Sequence, residues 1–478
     1  MVNPRTVLIR NARILSMVDG ADEVRGNVLV QGGKIAALGT FEAPADAEIV
    51  DAAGGIVMPG LVDTHRHIWQ TQLRTTAADW TLYDYLVHMR MTYSSFYKPD
   101  DVYLGNYVGT LEALNAGITT IVDHCHILNS PEHTDAAIQG LKDSQARAIF
   151  CYGLFVNPSS HAPFAYDGNM EWRYADARRL RNTTFSSDSG KILLGLAPHE
   201  PESVPFEVSA GDLAFAREIA AHTVSCHVAM GAYDQGFQFV RRLHEAGLLD
   251  PQFLFVHGAS LTDDELKMIA DSGAGISSTP ETELQMGMGY PVALRARNAG
   301  AHASLGVDIV SNYSGDLFAQ MRMMIQSARA QGNAILEARG EAPRHVELKT
   351  RDVLRLATVG GAETLRLADR IGTLEVGKQA DLIIIRTDTI NMLPATHAVA
   401  AVVYNAGPGD VSDVMVEGAW VKRSGSLVGV DWTTLGGRLQ ASAERILTEA
   451  SEANPAIPSS IVDTFFRNLT PPVRAAAE

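Results

Sequence analysis

The chain has 478 residues, 46% of them hydrophobic and 20% charged, the balance of an ordinary globular protein with room for one large domain and a smaller one. A formal net charge of −16 without any lysine or arginine tract argues against a nucleic-acid partner. Three cysteines, Cys125, Cys151 and Cys226, lack CxxC spacing and read as free thiols of a reducing compartment.

The N-terminal stretch MVNPRTVLIRNARILSMVD breaks its short apolar runs with Arg10, Asn11 and Arg13, so it lacks the continuous apolar region of a signal peptide. No later run approaches the ~18 apolar residues of a membrane span. A cytoplasmic protein without membrane association is expected.

Residues 5–50 predict short strands at Thr6–Arg10, Ala12–Leu15, Asn27–Gln31 and Lys34–Leu38, with Gly32-Gly33 as the hairpin turn between the last two. From about residue 61 apolar strands alternate with helix-length amphipathic segments, the signature of repeated βα units. The strands are Leu61–His67, Thr119–His124, Arg147–Phe155, Ile192–Pro198, Thr223–Val228, Phe253–His257, Gly273–Ser278 and His302–Val307. Helices fall at Asp101–Asn115, His133–Ala146, Val208–His222, Thr262–Asp271 and Pro291–Asn298, and Pro158–Ser189 reads as a long loop. Eight such strands fit a (β/α)8 barrel.

After residue 369, strands are predicted at Ala380–Ile385, Ala398–Val403, Val411–Val416 and Ala419–Val421. The expected fold class is therefore α/β: a distorted TIM barrel over residues 58–368, with residues 1–57 and 369–436 joining as one small discontinuous β-sandwich. Residues 437–478 read as a helical extension ending in the tail TPPVRAAAE.

Catalytic groups of such a barrel sit at the C-terminal ends of its strands. In PGLVDTHRHIWQ, strand alternation places Asp63, His65 and His67 on one face, so two imidazoles can reach one metal ion. His227 ends the fifth strand, His257 the sixth, and Asp308 follows the eighth. A single histidine at a strand end is usually a packed, hydrogen-bonded one. Five such residues on four converging strands point to a metal site.

In PGLVDTHRH, LEALNAGITTIVDH, SCHVA, FVHGASLTDDEL, LGVD and IGTLEVGKQADLIII, the chain resembles the amidohydrolase superfamily, in its cytosine-deaminase-like and chlorohydrolase-like branch, over about residues 1–425. The resemblance implies a β-sandwich plus barrel, one divalent metal and hydrolytic attack on an electrophilic carbon. It implies that His65, His67, His227 and Asp308 are the metal ligands, that His257 holds or polarises the attacking water, and that Asp308 is the general base. The strand-four stretch LLGLAPHE has no lysine near its C-terminal end, Lys191 lying at its start, which favours one metal over two. Imidazole and carboxylate ligands suit zinc first and ferrous iron second. The other deaminase design, an HxE with a PCxxC zinc site, is absent.

The branch usually carries a glutamate three residues after the strand-five histidine, a proton shuttle to ring and leaving group; here that position is Met230. Glu283, or else Glu281, in SSTPETELQ is the expected substitute for that acid, and Glu281 is also a candidate substrate contact. Gln70 matches an HxHxxQ arrangement whose amide reads a heterocycle edge. Trp69, His199 (with its neighbour Glu200) and Met230 are further candidate substrate contacts, while His124 and His126 fit packing better than contact.

The expected activity is hydrolytic deamination of a nitrogen heterocycle such as a purine, pterin, pyrimidine or triazine, by a homo-oligomer acting on a small molecule. The alternatives are hydrolysis of a cyclic amide or of a halide or other good leaving group, where acid assistance matters less. A catalytically inactive scaffold is disfavoured by the intact ligand set.

Overall fold

The structure, a computed structural model, describes residues 6–158, 170–234 and 236–453. The predicted tail TPPVRAAAE and part of the 158–189 loop lie outside the described residues; the rest of that loop carries a helix, Glu171–Asn182.

Eight parallel strands form one sheet in chain order: Leu61–Arg66, Ile118–Cys125, Arg147–Gly153, Ile192–Ala197, Val224–Val228, Phe253–His257, Gly275–Ser278 and His302–Leu305. The eighth closes on the first, making a distorted TIM barrel. Thr64 Oγ1 lies 2.9 Å from Ser304 Oγ, and beyond the eighth strand Asp308 N–H donates to His65 O at 2.8 Å. Gly306 permits this approach, since a Cβ there would stand 2.8 Å from His65 O. The β-branched and aliphatic runs that mark the strands in the sequence are buried on both faces, as a parallel sheet covered by helices requires.

The second sheet is assembled from both ends of the chain. Leu382–Ile385 pairs antiparallel with Ile56–Pro59, so Val411–Val416 and Ala419–Arg423 continue the sheet on one side while Val7–Ile14, Val24–Gln31 and Lys34–Gly39 continue it on the other. The expected pair Thr6–Arg10 and Ala12–Leu15 is one strand, Val7–Ile14, with an irregularity at Asn11, whose φ is 55°. Ala398–Val403 is helical, not extended. Helix Ala398–Tyr404 buries Ala398, Ala401, Val402 and Val403, a spacing of three and four that an unbroken apolar run conceals. A buried ion pair joins the sheets, with Arg147 Nε 2.8 Å from Asp381 Oδ2. The predicted C-terminal helix is present as Trp432–Ala453.

Candidate active site

Pro59-Gly60 turns the chain into the first barrel strand, where a Cβ on residue 60 would stand 2.1 Å from Thr119 Oγ1. Pairing with the second strand shifts register between Asp63 and Arg66, next to the two histidines. Asp63 itself is consumed structurally: its carboxylate accepts from Arg66 Nε at 2.7 Å and from Val307 N–H at 3.0 Å. His257 and Asp308 both have φ of 73°, a left-handed conformation uncommon outside glycine, which turns the chain sharply where each strand stops.

The donors converge. His65 Nε2 and His67 Nε2 lie 3.3 and 3.4 Å from Asp308 Oδ1, and His227 Nε2 lies 3.2 Å from His65 Nε2. Ligands about 2.0–2.1 Å from a tetrahedral zinc stand about 3.3–3.4 Å from one another, so the spacing fits one ion. Outer partners leave the correct nitrogens free. His67 Nδ1 bonds His124 O at 2.8 Å, and His227 Nδ1 meets the Glu200 carboxylate at 3.0 and 3.1 Å.

Burial pulls the His65 imidazole down to about 4, against the opposing bond to Asp308, and pulls His67 well below its ordinary value. Neutral imidazole is the form that binds metal. Burial alone would raise the Asp308 carboxyl, but His65, His257 and His67 together hold it well below the usual carboxylate range.

His257 Nδ1 is 3.1 Å from Thr279 Oγ1 and 3.5 Å from Glu283 Oε1, and its donor atom lies within 4.8 Å of those of His65 and Asp308. A fifth imidazole completes the cluster. His124 stacks on His227 with ring centres 4.4 Å apart and holds Ser225 Oγ at 3.0 Å through Nδ1.

Above the cluster opens a cavity of about 760 Å3, open solvent at its mouth included. His67, His126, His227, His257 and Asp308 form its floor. Its wall comes from loops: Leu82, Tyr85, Leu86 and Arg90 from the segment after the first strand, Glu200 and Glu202 from the fourth, Met230 and Tyr233 from the fifth, Met286 and Met288 from the seventh.

Of the residues expected to meet substrate, Met230 and Glu200 line the cavity and the others do not. Trp69 is fully buried, donating from Nε1 to His126 Nδ1 at 3.0 Å and meeting Tyr97 edge to face. Gln70 is also buried; its amide bonds Tyr85 Oη at 2.6 Å and Ser311 Oγ at 3.1 Å, so it holds a wall residue in place and does not itself line the cavity. His199 Nδ1 is tied to Asp212 at 2.9 Å, away from the cavity. Glu281 bonds Gln320 Nε2 at 2.7 Å. Glu283 is fully buried behind His257, accepting Thr279 N–H at 2.8 Å, so it touches the histidine and not the cavity.

The sequence reading missed Tyr85, Leu86 and Arg90 in the wall. The signal was present: Leu82, Tyr85, Leu86 and Met89 have helical spacing. Glu202, two residues beyond Glu200 in APHEPES, was also missed, because a glutamate in a loop is usually solvated.

Fold and site together define a barrel hydrolase with a histidine–aspartate centre at its strand ends. The chain belongs to the amidohydrolase family, whose profile matches residues 56–421. It is 30% identical over 460 residues to the 5-methylthioadenosine/S-adenosylhomocysteine deaminase of Desulforudis audaxviator, spanning 92% of this chain and 99% of that one. It is 26% identical to the 5′-deoxyadenosine deaminase of Methanosarcina mazei, over 93% of this chain and 99% of that one. Among solved structures, an adenosine deaminase from Xanthomonas campestris with bound zinc superposes with a TM-score of 0.81 at 26% identity, covering 93% and 99% of the two chains. The atrazine chlorohydrolase of Arthrobacter aurescens shares the fold, with a TM-score of 0.79 at 21% identity over 91% and 100%. The chain is thus a hydrolase of the class that acts on carbon–nitrogen bonds outside peptides.

Proposed function

We propose that the substrate is an adenine nucleoside with an apolar 5′ substituent, and that His65, His67, His227 and Asp308 hold one divalent ion, zinc in preference to ferrous iron. The observation that carries the metal assignment is the 3.2–3.4 Å spacing of three donor pairs, His65–Asp308, His67–Asp308 and His65–His227. The substrate class rests on the deaminases of modified adenosines among the relatives and on the apolar wall of Leu82, Met230, Met286 and Met288, which suits a thioether or deoxy group better than a phosphate.

A bound divalent ion supplies Lewis acidity and brings the pKa of water from about 15.7 towards about 7. The chain's own groups do the rest. Thr279 and Glu283 occupy His257 Nδ1, which leaves Nε2 to hold the attacking water. Asp308, kept ionised by its imidazole neighbours, accepts a proton from that water. Glu200 orients the His227 ring through Nδ1. The enzyme works in the cytoplasm as a homo-oligomer on this reading.

The test is ammonia release from 5′-methylthioadenosine by zinc-supplied protein, with the product identified by mass. One ammonia per nucleoside supports deamination; ring opening without ammonia sinks it. Met230, in the place of a proton-carrying glutamate, favours a second reading in which the leaving group needs no proton. Chloride release from a chlorinated heterocycle, with no ammonia from its amino counterpart, would establish that reading.

A further inference from the structure

Three carboxyl side chains among the described residues line the cavity: Asp308, Glu200 and Glu202. Asp308 belongs to the floor. Glu200 is committed to His227 Nδ1 through both oxygens, so its carboxylate is engaged in orienting that ring. Glu202 differs in every respect.

One Glu202 oxygen accepts the Ala229 N–H at 3.1 Å, which fixes the carboxyl beside the backbone that leads into Met230. Its other neighbour is Asp234, with which it shares a hydrogen bond. Asp234 in turn accepts from Ser260 Oγ at 3.1 Å and from Phe237 N–H at 3.2 Å. Two adjoining carboxyls in a partly buried site retain a proton between them. Burial first, then Asp234 and Glu200, push the Glu202 carboxyl well above the usual range. The cavity wall therefore carries a neutral carboxylic acid beside the residue that stands where related deaminases have their glutamate.

We infer that Glu202 is the proton donor to the departing nitrogen, reaching from the loop after the fourth strand a place that Met230 leaves without an acid. The inference rests on the deamination reading. In the step, the water oxygen bonds the ring carbon as one of its protons passes to Asp308. The Glu202 carboxyl gives its proton to the amino nitrogen, and the carbon–nitrogen bond breaks with its electron pair leaving on ammonia. The proton held by Asp308 then returns through solvent to the Glu202 carboxylate, so both groups are restored and the ring carries the new oxygen. Glu283 acts through His257 and is a positioning residue in this scheme.

The test compares the unaltered enzyme with E202Q, each supplied with zinc and assayed for bound metal, on 5′-methylthioadenosine and on its 6-chloropurine counterpart, whose chloride leaves without a proton. In E202Q the kcat for ammonia release should fall about 10^2–10^4-fold, the contribution expected of a general acid. KM, chloride release and bound zinc should stay within about threefold of the unaltered enzyme. E202D, which keeps an acid, should retain more ammonia release than E202Q, and adding Met230→Glu to E202Q should restore at least about tenfold of it. Unchanged ammonia release in E202Q, or equal loss of ammonia and chloride release at full metal content, would overturn the assignment while leaving deamination standing. An unaltered enzyme that releases chloride but no ammonia would overturn deamination and the assignment with it.

Discussion

The floor of the cavity is held by strand ends locked to one another, whereas its wall is held by side chains from loops. On the floor, His65, His67 and Asp308 are joined by backbone hydrogen bonds of 2.7 and 2.8 Å across the barrel's closing seam. In the wall, Tyr85 is fixed by one side-chain bond from Gln70, and Glu202 by one backbone N–H and a neighbouring acid. The contrast teaches where chemistry and specificity reside. The generic part, gathering donors around an ion, needs the precision of the seam. The particular part, fitting a substrate and protonating its leaving group, is carried by segments that can change residue by residue without disturbing the strands.

The comparison breaks most visibly at Asp308. D308N should lose more than about 10^4-fold in turnover, because one substitution removes the base and a ligand. Bound zinc, measured by atomic emission, should fall well below that of the unaltered chain; wild-type metal content in D308N would remove Asp308 from the ligand set. Next comes Glu283, which touches the floor only through His257. E283Q should lose about 10–100-fold in kcat, as outer partners of site histidines typically do, with ammonia and chloride release falling together. A loss confined to ammonia would instead make Glu283 the proton donor and exchange its role with that of Glu202.

Gln70→Ala sharpens the wall side. It frees Tyr85 from its anchor, so KM should rise about tenfold with kcat little changed, the reverse of the pattern at Glu283. The smallest effect is expected at Glu281, which burial pushes up to about 7 from its ordinary 4.5. Between those values the folded protein keeps a proton that the unfolded chain has released, so this group's contribution to stability is full below 4.5 and is lost as pH rises through 7. E281Q should therefore stabilise the protein at neutral pH by about 1 kcal/mol, allowing for partial exposure, and leave turnover unchanged. Urea denaturation at about pH 4 and about pH 7.5 reads this directly, the gain appearing at the higher pH.

The same division decided what could be read from the chain. The eight barrel strands were legible because buried parallel strands are apolar on both faces and stop abruptly at a polar residue, as Phe253–His257 does. Those stops are the floor, so His65, His67, His227, His257 and Asp308 could be picked out from the alternation of apolar runs and helices. The wall was legible only in part: the spacing of Leu82, Tyr85, Leu86 and Met89 marks a helix, but which residues face the cavity depends on tertiary contacts. Trp69 and Gln70 follow directly on the His65-Arg66-His67 run, yet the short helix Ile68–Leu73 turns them into the protein. Glu283 and Glu202 both sit on short helical turns that follow barrel strands, Pro280–Gln285 and Pro201–Ser203; only the fold shows that one lies behind a histidine and the other faces the cavity. Ala398–Tyr404 failed for a related reason, since six apolar residues in a row fit strand and helix equally well.

The central claim is that donors gathered at the strand ends hold a metal that drives deamination of an adenine nucleoside. Its most direct measurement pairs metal analysis with ammonia release on one preparation, before and after treatment with a chelator. The account predicts one zinc per chain and one ammonia per nucleoside consumed, both lost with the chelator and both regained when zinc is restored. A preparation carrying one zinc per chain that releases no ammonia from 5′-methylthioadenosine or any other amino heterocycle would contradict it.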